Sequence, residues 1–234
     1  MSVTANLQSE GRRMMVIGAH PDDPEFGCAG TVAKWVQDGN EAHYLLLTSG
    51  DKGSHDPTLS PGQVAEIREG EQRAAAEVLG VSSVTYLREP DGLLEDTLAL
   101  RKRVCAEIRR LKPDVLVTID PWRRYQLHPD HRAAGQLALD AAWAAREWHI
   151  FPEQLLGDAP WRISEVLLFW TDSADHWVDV GETIEKRIEA LVCHRSQVAG
   201  RMDRVADRIR ERTQLEAEGH GMAYAEAFKR FGRL

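Results

Sequence analysis

A doubly wound α/β fold is what the sequence predicts: a Rossmann-like, mostly parallel sheet with helices on both faces and a helical C-terminal region. Three observations carry this. Four short apolar runs alternate with segments of helical periodicity between about residues 12 and 146. One of them, Tyr44 to Thr48, lacks polar alternation, as a strand covered on both faces does. Two of them are followed by matching clusters, Ala19-His20-Pro21-Asp22-Asp23 and His128-Pro129-Asp130-His131. In open α/β sheets, ligands bind outside the carboxyl ends of the strands.

Taken in order, residues 1 to 11 are polar and are expected to be loose. Met14 to Gly18 reads as the first strand. A helix follows from about Glu25, with Phe26, Ala29, Ala33 and Val36 at helical spacing and Gly39 as its stop. Tyr44 to Thr48 is the second strand. The Gly- and Asp-rich loop Ser49 to Pro61 is long for a compact domain, which marks it as functional. Gln63 to Leu79 is a helix ended by Gly80. Val84 to Leu87 is the third strand, and Glu89-Pro90-Asp91-Gly92 a turn. Leu98 to Leu111 is a basic amphipathic helix whose Arg101, Lys102, Arg103, Arg109 and Arg110 read as a solvated face. Val115 to Ile119 is the fourth strand. Pro129 suits the first turn of the next helix, which carries Ala134, Leu137, Ala138 and Ala141.

Beyond Glu147 the pattern loosens. Phe151 to Trp161 is irregular, Val166 to Trp170 and Val178 to Val180 read as strands, and helices dominate from Thr183. No linker isolates residues 147–234, so a single domain over 1–234 is expected. If the strand order is 3-2-1-4, strands one and four are neighbours at the switch point, and the two clusters meet in space.

The 29 basic and 37 acidic residues give a net charge of −8, which argues against nucleic acid or an anionic membrane as partner. No apolar run is long enough for a spanning helix. Met1 to Gln8 lacks the features of a secretory signal. Cys28, Cys105 and Cys193 are odd in number and far apart, as free thiols in a reducing compartment are. A cytoplasmic location is expected. The tryptophans Trp143, Trp148, Trp161, Trp170 and Trp177 point to core or subunit contacts, and so to a homo-oligomer.

Imidazole and carboxylate are ligands that Zn²⁺ accepts. Consecutive residues on a non-helical chain point apart, so Asp22 and Asp23 are not expected to share one task. His20, Asp23 and one distant histidine would leave a fourth position open, as catalytic zinc sites do. Asp22 is then free to take a proton from metal-bound water. Of His128 and His131, one binds the metal and the other faces a developing oxyanion. Either Asp130 or Asp120 is expected to hold that second ring protonated.

These residues match a known family. AHPDD paired with HPDH resembles the PIG-L (LmbE-like) zinc deacetylases, which remove acetyl from N-acetylglucosaminyl groups. Weaker matches are Thr48-Ser49-Gly50-Asp51, Arg68-Glu69-Gly70-Glu71, Asp91-Gly92, Asp120-Pro121, His194-Arg195-Ser196-Gln197 and Ala225-Glu226-Ala227-Phe228. The resemblance implies that His20, Asp23 and His131 hold one Zn²⁺ per chain, with Fe²⁺ as another candidate ion. It implies Asp22 as general base and His128 as the group that steadies the tetrahedral intermediate. Arg68 and Asp91 become sugar contacts, and Tyr125 a mobile tyrosine beside the substrate, although Trp122 to Leu127 is bulkier than in most relatives. The implied substrate is a small N-acetylated amino sugar.

Several residues keep two readings. Arg68 is either a sugar ligand or a surface residue paired with Glu69 or Glu71. Asp91 before Gly92 is also an ordinary turn pair. Cys28 reads as a buried small hydrophobe, and His55 as a loop residue within reach of substrate. The nearest alternative function is an amidase acting on a larger amide conjugate. A non-haem Fe(II) oxygenase also uses two histidines and a carboxylate but leaves Asp22 without a task. A nucleotide-binding Rossmann module would need a Gly-rich turn where this chain has aspartates. A sugar-binding, non-catalytic protein would have no use for Asp22.

Overall fold

The computed structural model describes residues 11–233. The expectation for residues 1 to 11 therefore lies, except for Gly11, outside the described residues.

The chain runs β1 (Arg13–Gly18), α1 (Asp23–Gly27), α2 (Ala29–Gln37), β2 (Glu41–Thr48), α3 (Pro61–Leu79), β3 (Ser83–Glu89), α4 (Leu98–Leu111) and β4 (Val115–Ile119). It continues with α5 (Pro129–Ala145), a short 3₁₀ turn at Pro152–Gln154, β5 (Glu165–Phe169), β6 (His176–Asp179), α6 (Ile184–Val192), α7 (Arg195–Val198), α8 (Met202–Ala217) and β7 (Ala225–Phe231). The strands form one seven-stranded sheet in the order β3-β2-β1-β4-β5-β7-β6. The first five are parallel, whereas β7 runs antiparallel to both β5 and β6. Apolar side chains of β1, β2, β4 and β5 are buried on both faces, as their unbroken hydrophobic runs require. Among the described residues, no helix is long and apolar enough to cross a membrane.

The order 3-2-1-4 expected from the alternation is present, running inward from the β3 edge of the sheet. Three details differ. The helix expected from Glu25 is two helices broken at Cys28, whose backbone (φ −151°) leaves the helical region. The segment expected to continue the helical tail ends instead in β7, where Ala and Glu mask strand character and pairing with two neighbours overrides propensity. Arg109 does not lie on a solvated face. It is buried and donates to the carbonyls of Ala144, Ala145, Glu147, Ile150 and Phe151, closing the open end of α5 and the loop that follows.

Helix α5 is seated on the end of β4 by Gly135. A Cβ there would collide with the carbonyl oxygen of Ile119 and with the Pro121 ring. Gly135→Ala is therefore expected to cost ~1–3 kcal/mol, the usual range for overpacking. A lowered urea midpoint with an unchanged slope would show it, and an unchanged midpoint would mean that α5 shifts freely.

Candidate active site

Strands β1 and β4 are adjacent, with Ile17 beside Thr118. Their carboxyl ends therefore deliver the two clusters to one place. His20 leaves β1 directly. Asp23 opens α1, and its Oδ2 accepts the backbone N–H groups of Ala19 and His20, both at 2.8 Å. That folds the carboxylate back beneath the strand end. His128 is the N-cap of α5 with Pro129 next. Histidines three apart on a helical turn share a face, and the His128 and His131 rings stack with centroids 4.4 Å apart. Asp130 points the other way, is fully buried, and accepts from Gly92 N–H at 2.7 Å and Leu94 N–H at 3.1 Å.

These groups converge. His131 Nε2 lies 3.2 Å from Asp23 Oδ1, and His20 Nδ1 lies 3.6 Å from Asp23 Oδ2. His20 Nε2 sits 3.1 Å from Asp130 Oδ2 and 3.1 Å from Asp91 Oδ1. Two carboxylates facing Nε2 hold a proton on that nitrogen, so the neutral ring carries its lone pair on Nδ1, a tautomer inferred from its partners. Ligand atoms of His20, His128 and His131 also lie within 4.8 Å of one another. Two imidazoles and a carboxylate with backbone-fixed orientation are a donor set that fits a divalent ion such as zinc.

Charge follows the geometry. Burial would raise Asp23, but the charges and hydrogen bonds of His131 and His20 outweigh it and hold the carboxyl far below its usual range. Burial would lower His20, but hydrogen bonds to Asp130, Asp23 and Asp91 raise it well above an ordinary histidine. Asp91, pushed up by burial, is brought down to about 2 by His20 and the Lys52 N–H. Asp22 goes the other way. Burial and the neighbouring Asp23 raise it to about 6 against the pull of Arg68.

His128 departs from expectation. Its ring meets no carboxylate partner among the described residues: Asp130 is taken by His20, Gly92 and Leu94, and Asp120 Oδ1 accepts from Trp122 N–H. Burial and the charges of His131 and His20 lower its pKa. The ring is therefore more readily neutral than a free histidine.

A cavity of about 590 Å³ opens above these groups, lined among others by His20, Asp22, Asp23, Arg68, Asp91, His128 and His131. Arg68 is 4% exposed and is not paired with Glu69 or Glu71. It donates to Pro21 O (2.5 Å), Asp22 Oδ2 (3.2 Å) and Gly50 O (3.3 Å). Gly50 adopts φ +64° and leaves room that any side chain would take from the guanidinium. Glu69 is held instead by Arg88 and Ser49, and Glu71 by Ser196. Tyr125 is 83% exposed and lines a separate surface depression with Trp122 and Arg124, while Arg123 and Gln126 of the same loop line the cavity. His55 is exposed and does not line it, and Cys28 is buried.

Sequence reasoning did not find Asp130 as the partner of His20, nor Lys52, Trp170, Gln197 and Arg212 on the cavity wall. Asp130 stands inside the HPDH motif and could have been found there. Gln197 stands inside the His194-Arg195-Ser196-Gln197 match, whereas Lys52, Trp170 and Arg212 carry no local pattern.

Residues 15–142 match the family model described as PIG-L: GlcNAc-PI de-N-acetylase. The chain is 34% identical over 187 residues to the diacetylchitobiose deacetylase of Thermococcus kodakarensis, covering 80% of this chain and 70% of that protein. It is 30% identical over 185 residues to a Rhodococcus opacus 1D-myo-inositol 2-acetamido-2-deoxy-alpha-D-glucopyranoside deacetylase, covering 68% of this chain and 61%, less than two thirds, of the relative. Among solved structures, the N,N'-diacetylchitobiose deacetylase from Pyrococcus horikoshii, complexed with its inhibitor MPG, superposes with a TM-score of 0.90. That match is at 29% identity and covers 94% of this chain and 84% of that one. With more than half its length matched by the family model, the chain belongs to the PIG-L family.

Proposed function

We propose that this protein is a metal-dependent hydrolase that removes acetyl from the amide nitrogen of an N-acetylglucosaminyl-type sugar. One observation carries the reading. Asp22, a carboxylate raised to about 6, sits in one cavity with the His20, Asp23 and His131 donor set and with a further histidine, His128. A binding protein has no use for that combination. The names of the relatives support the substrate class.

His20 (through Nδ1), Asp23 and His131 would hold the ion. When bound, it lowers the pKa of a coordinated water and polarises the acetyl carbonyl. Asp22 Oδ2 is engaged by Arg68, so Oδ1 is the oxygen that takes the proton of the attacking water. The same carboxyl then hands that proton to the departing amine. His128, neutral, donates one ring N–H to the carbonyl oxygen as negative charge builds there. Arg68 and Asp91, both in the wall, orient the sugar hydroxyls.

The test is acetate release by zinc-loaded protein from a panel. It includes N-acetylglucosamine, its β-1,4-linked dimer, N-acetylglucosaminides of a polyol and of a hydroxy acid, and a sugar with a larger acyl group. Stoichiometric acetate and free amine are expected from at least one N-acetyl sugar. Cleavage of the larger amide alone would replace this reading with an amidase. Within the reaction, His128→Ala is expected to lower kcat by a factor of ~10²–10³, as loss of one oxyanion donor does. Metal content should be unchanged; an undiminished rate would remove His128 from the chemistry.

A further inference from the structure

We propose that Gln72, backed by Glu25 and His194, is a positioning residue that holds Asp22 at the attacking water. The proposal rests on Asp22 being the base. Its starting point is the backbone of Asp22, at φ 94° and ψ −21°. A residue with a side chain held in such a conformation is strained, and it persists only where the surroundings over-determine it.

Four bonds hold this peptide. Arg68 fixes the Pro21 carbonyl and the Asp22 carboxylate, and Phe26 N–H donates to Asp22 O at 3.0 Å. The fourth comes from behind the cavity: Asp22 N–H donates to Gln72 Oε1 at 2.9 Å. Gln72 lies one turn after Arg68 on α3, is fully buried, and does not line the cavity. Its route to the cavity is therefore through Asp22.

An amide accepts at one end and donates at the other, so this bond is only as good as the orientation of Gln72. Glu25 fixes that orientation. Its Oε1 accepts from Gln72 Nε2 at 3.0 Å, and its Oε2 lies 3.1 Å from His194 Nε2. Glu25 and His194 are both fully buried. A flipped amide would place its NH₂ against the Asp22 N–H and its oxygen against the Glu25 carboxylate, which costs two hydrogen bonds in a dry site. The backbone after Asp22 is anchored on the same side, where Arg187 donates to Glu25 O at 3.0 Å and to Phe26 O at 2.6 Å. The line His194, Glu25, Gln72, Asp22 thus ties α7, α1 and α3 to the position of one carboxylate.

Gln72→Met keeps the volume and removes the acceptor. With Asp22 free to relax, a shift of about 1 Å can cost ~10²-fold in rate. In zinc-loaded protein with the β-1,4-linked N-acetylglucosamine dimer, or whichever panel sugar the wild type turns over fastest, kcat should fall ~10–100-fold. KM should stay within about twofold and the metal content at the wild-type level.

The deciding measurement is the same substitution in an Asp22→Asn background. A residue acting through Asp22 should there cost less than about twofold, because the two effects are not additive. An equal loss in both backgrounds, or a folded, metal-loaded Gln72→Met enzyme within twofold of wild type, overturns the proposal. An Asp22→Asn enzyme that keeps its rate overturns the base assignment itself, and this inference with it. Should Gln72→Met not fold, Glu25→Gln, which frees the Gln72 amide to flip, is expected to show the same non-additivity. Loss of hydrogen-exchange protection at the Asp22 amide, read without turnover, is expected in both variants.

Discussion

Asp22→Asn is expected to lower turnover by a factor of ~10²–10⁴, the range for a positioned proton acceptor, while the protein keeps its full metal content. The substitution preserves shape. An asparagine oxygen can still accept from Arg68, and the backbone N–H still meets Gln72, so the cavity should survive. What is lost is the capacity to take a proton. The pH dependence follows from the same group. The base must be ionised to act, and burial, aided by Asp23, has raised it to about 6. With a divalent ion beside the carboxylate favouring its ionised form, the wild-type rate should have its acid limb below pH about 6. The limb should vanish in Asp22→Asn. A residual rate above one tenth of wild type would rule Asp22 out as base, and loss of the metal would mean that Asp22 and Asp23 exchange roles.

The parallel half of the fold was legible because β1, β2 and β4 are unbroken apolar runs separated by helices, and two-sided burial leaves that mark in any sequence. The C-terminal edge was not. The strand β7 contains Ala225, Glu226 and Ala227, residues that favour helix until β5 and β6 pair with them. The same distinction holds in the site. His20, Asp23, His128 and His131 come in tight motifs at strand ends, so topology alone brings them together. Gln72 and Glu25 are ordinary letters in helices, and their place behind Asp22 depends on how α3 and α1 pack. Arg109 shows the limit most plainly. A basic residue on an amphipathic helix reads as solvated, yet its guanidinium donates to five carbonyls at the end of α5 and in the loop that follows. Hydrogen-bond needs far away in sequence leave no trace beside the residue that meets them.

His20→Ala is expected to remove the metal altogether, and with it all turnover above background. His20 sits where the two clusters meet: Nδ1 faces Asp23, and Nε2 faces Asp130 and Asp91. A site left with one imidazole and one carboxylate has too few ligands for a tetrahedral ion. Asp130→Asn is the graded companion. It leaves every proposed ligand in place but weakens the hold on the His20 proton, so metal affinity should fall ~10–100-fold, as loss of such outer partners does. Metal analysis after gel filtration, with a chelator series for affinity, reads both. One ion per chain retained by His20→Ala would sink the assignment. A further pair of variants separates two of the ligand sets that would share His20 and His131. His20, His128 and His131 converge as closely as a metal site requires, whereas the proposed set replaces His128 with Asp23. Asp23 has both oxygens committed to this centre: Oδ2 is pinned by two backbone N–H groups, and Oδ1 is aimed at His131. His128, exposed at the mouth, is free to turn towards substrate. Asp23→Asn should accordingly lose the ion and His128→Ala should keep it, and the reverse outcome would make the three histidines the ligands.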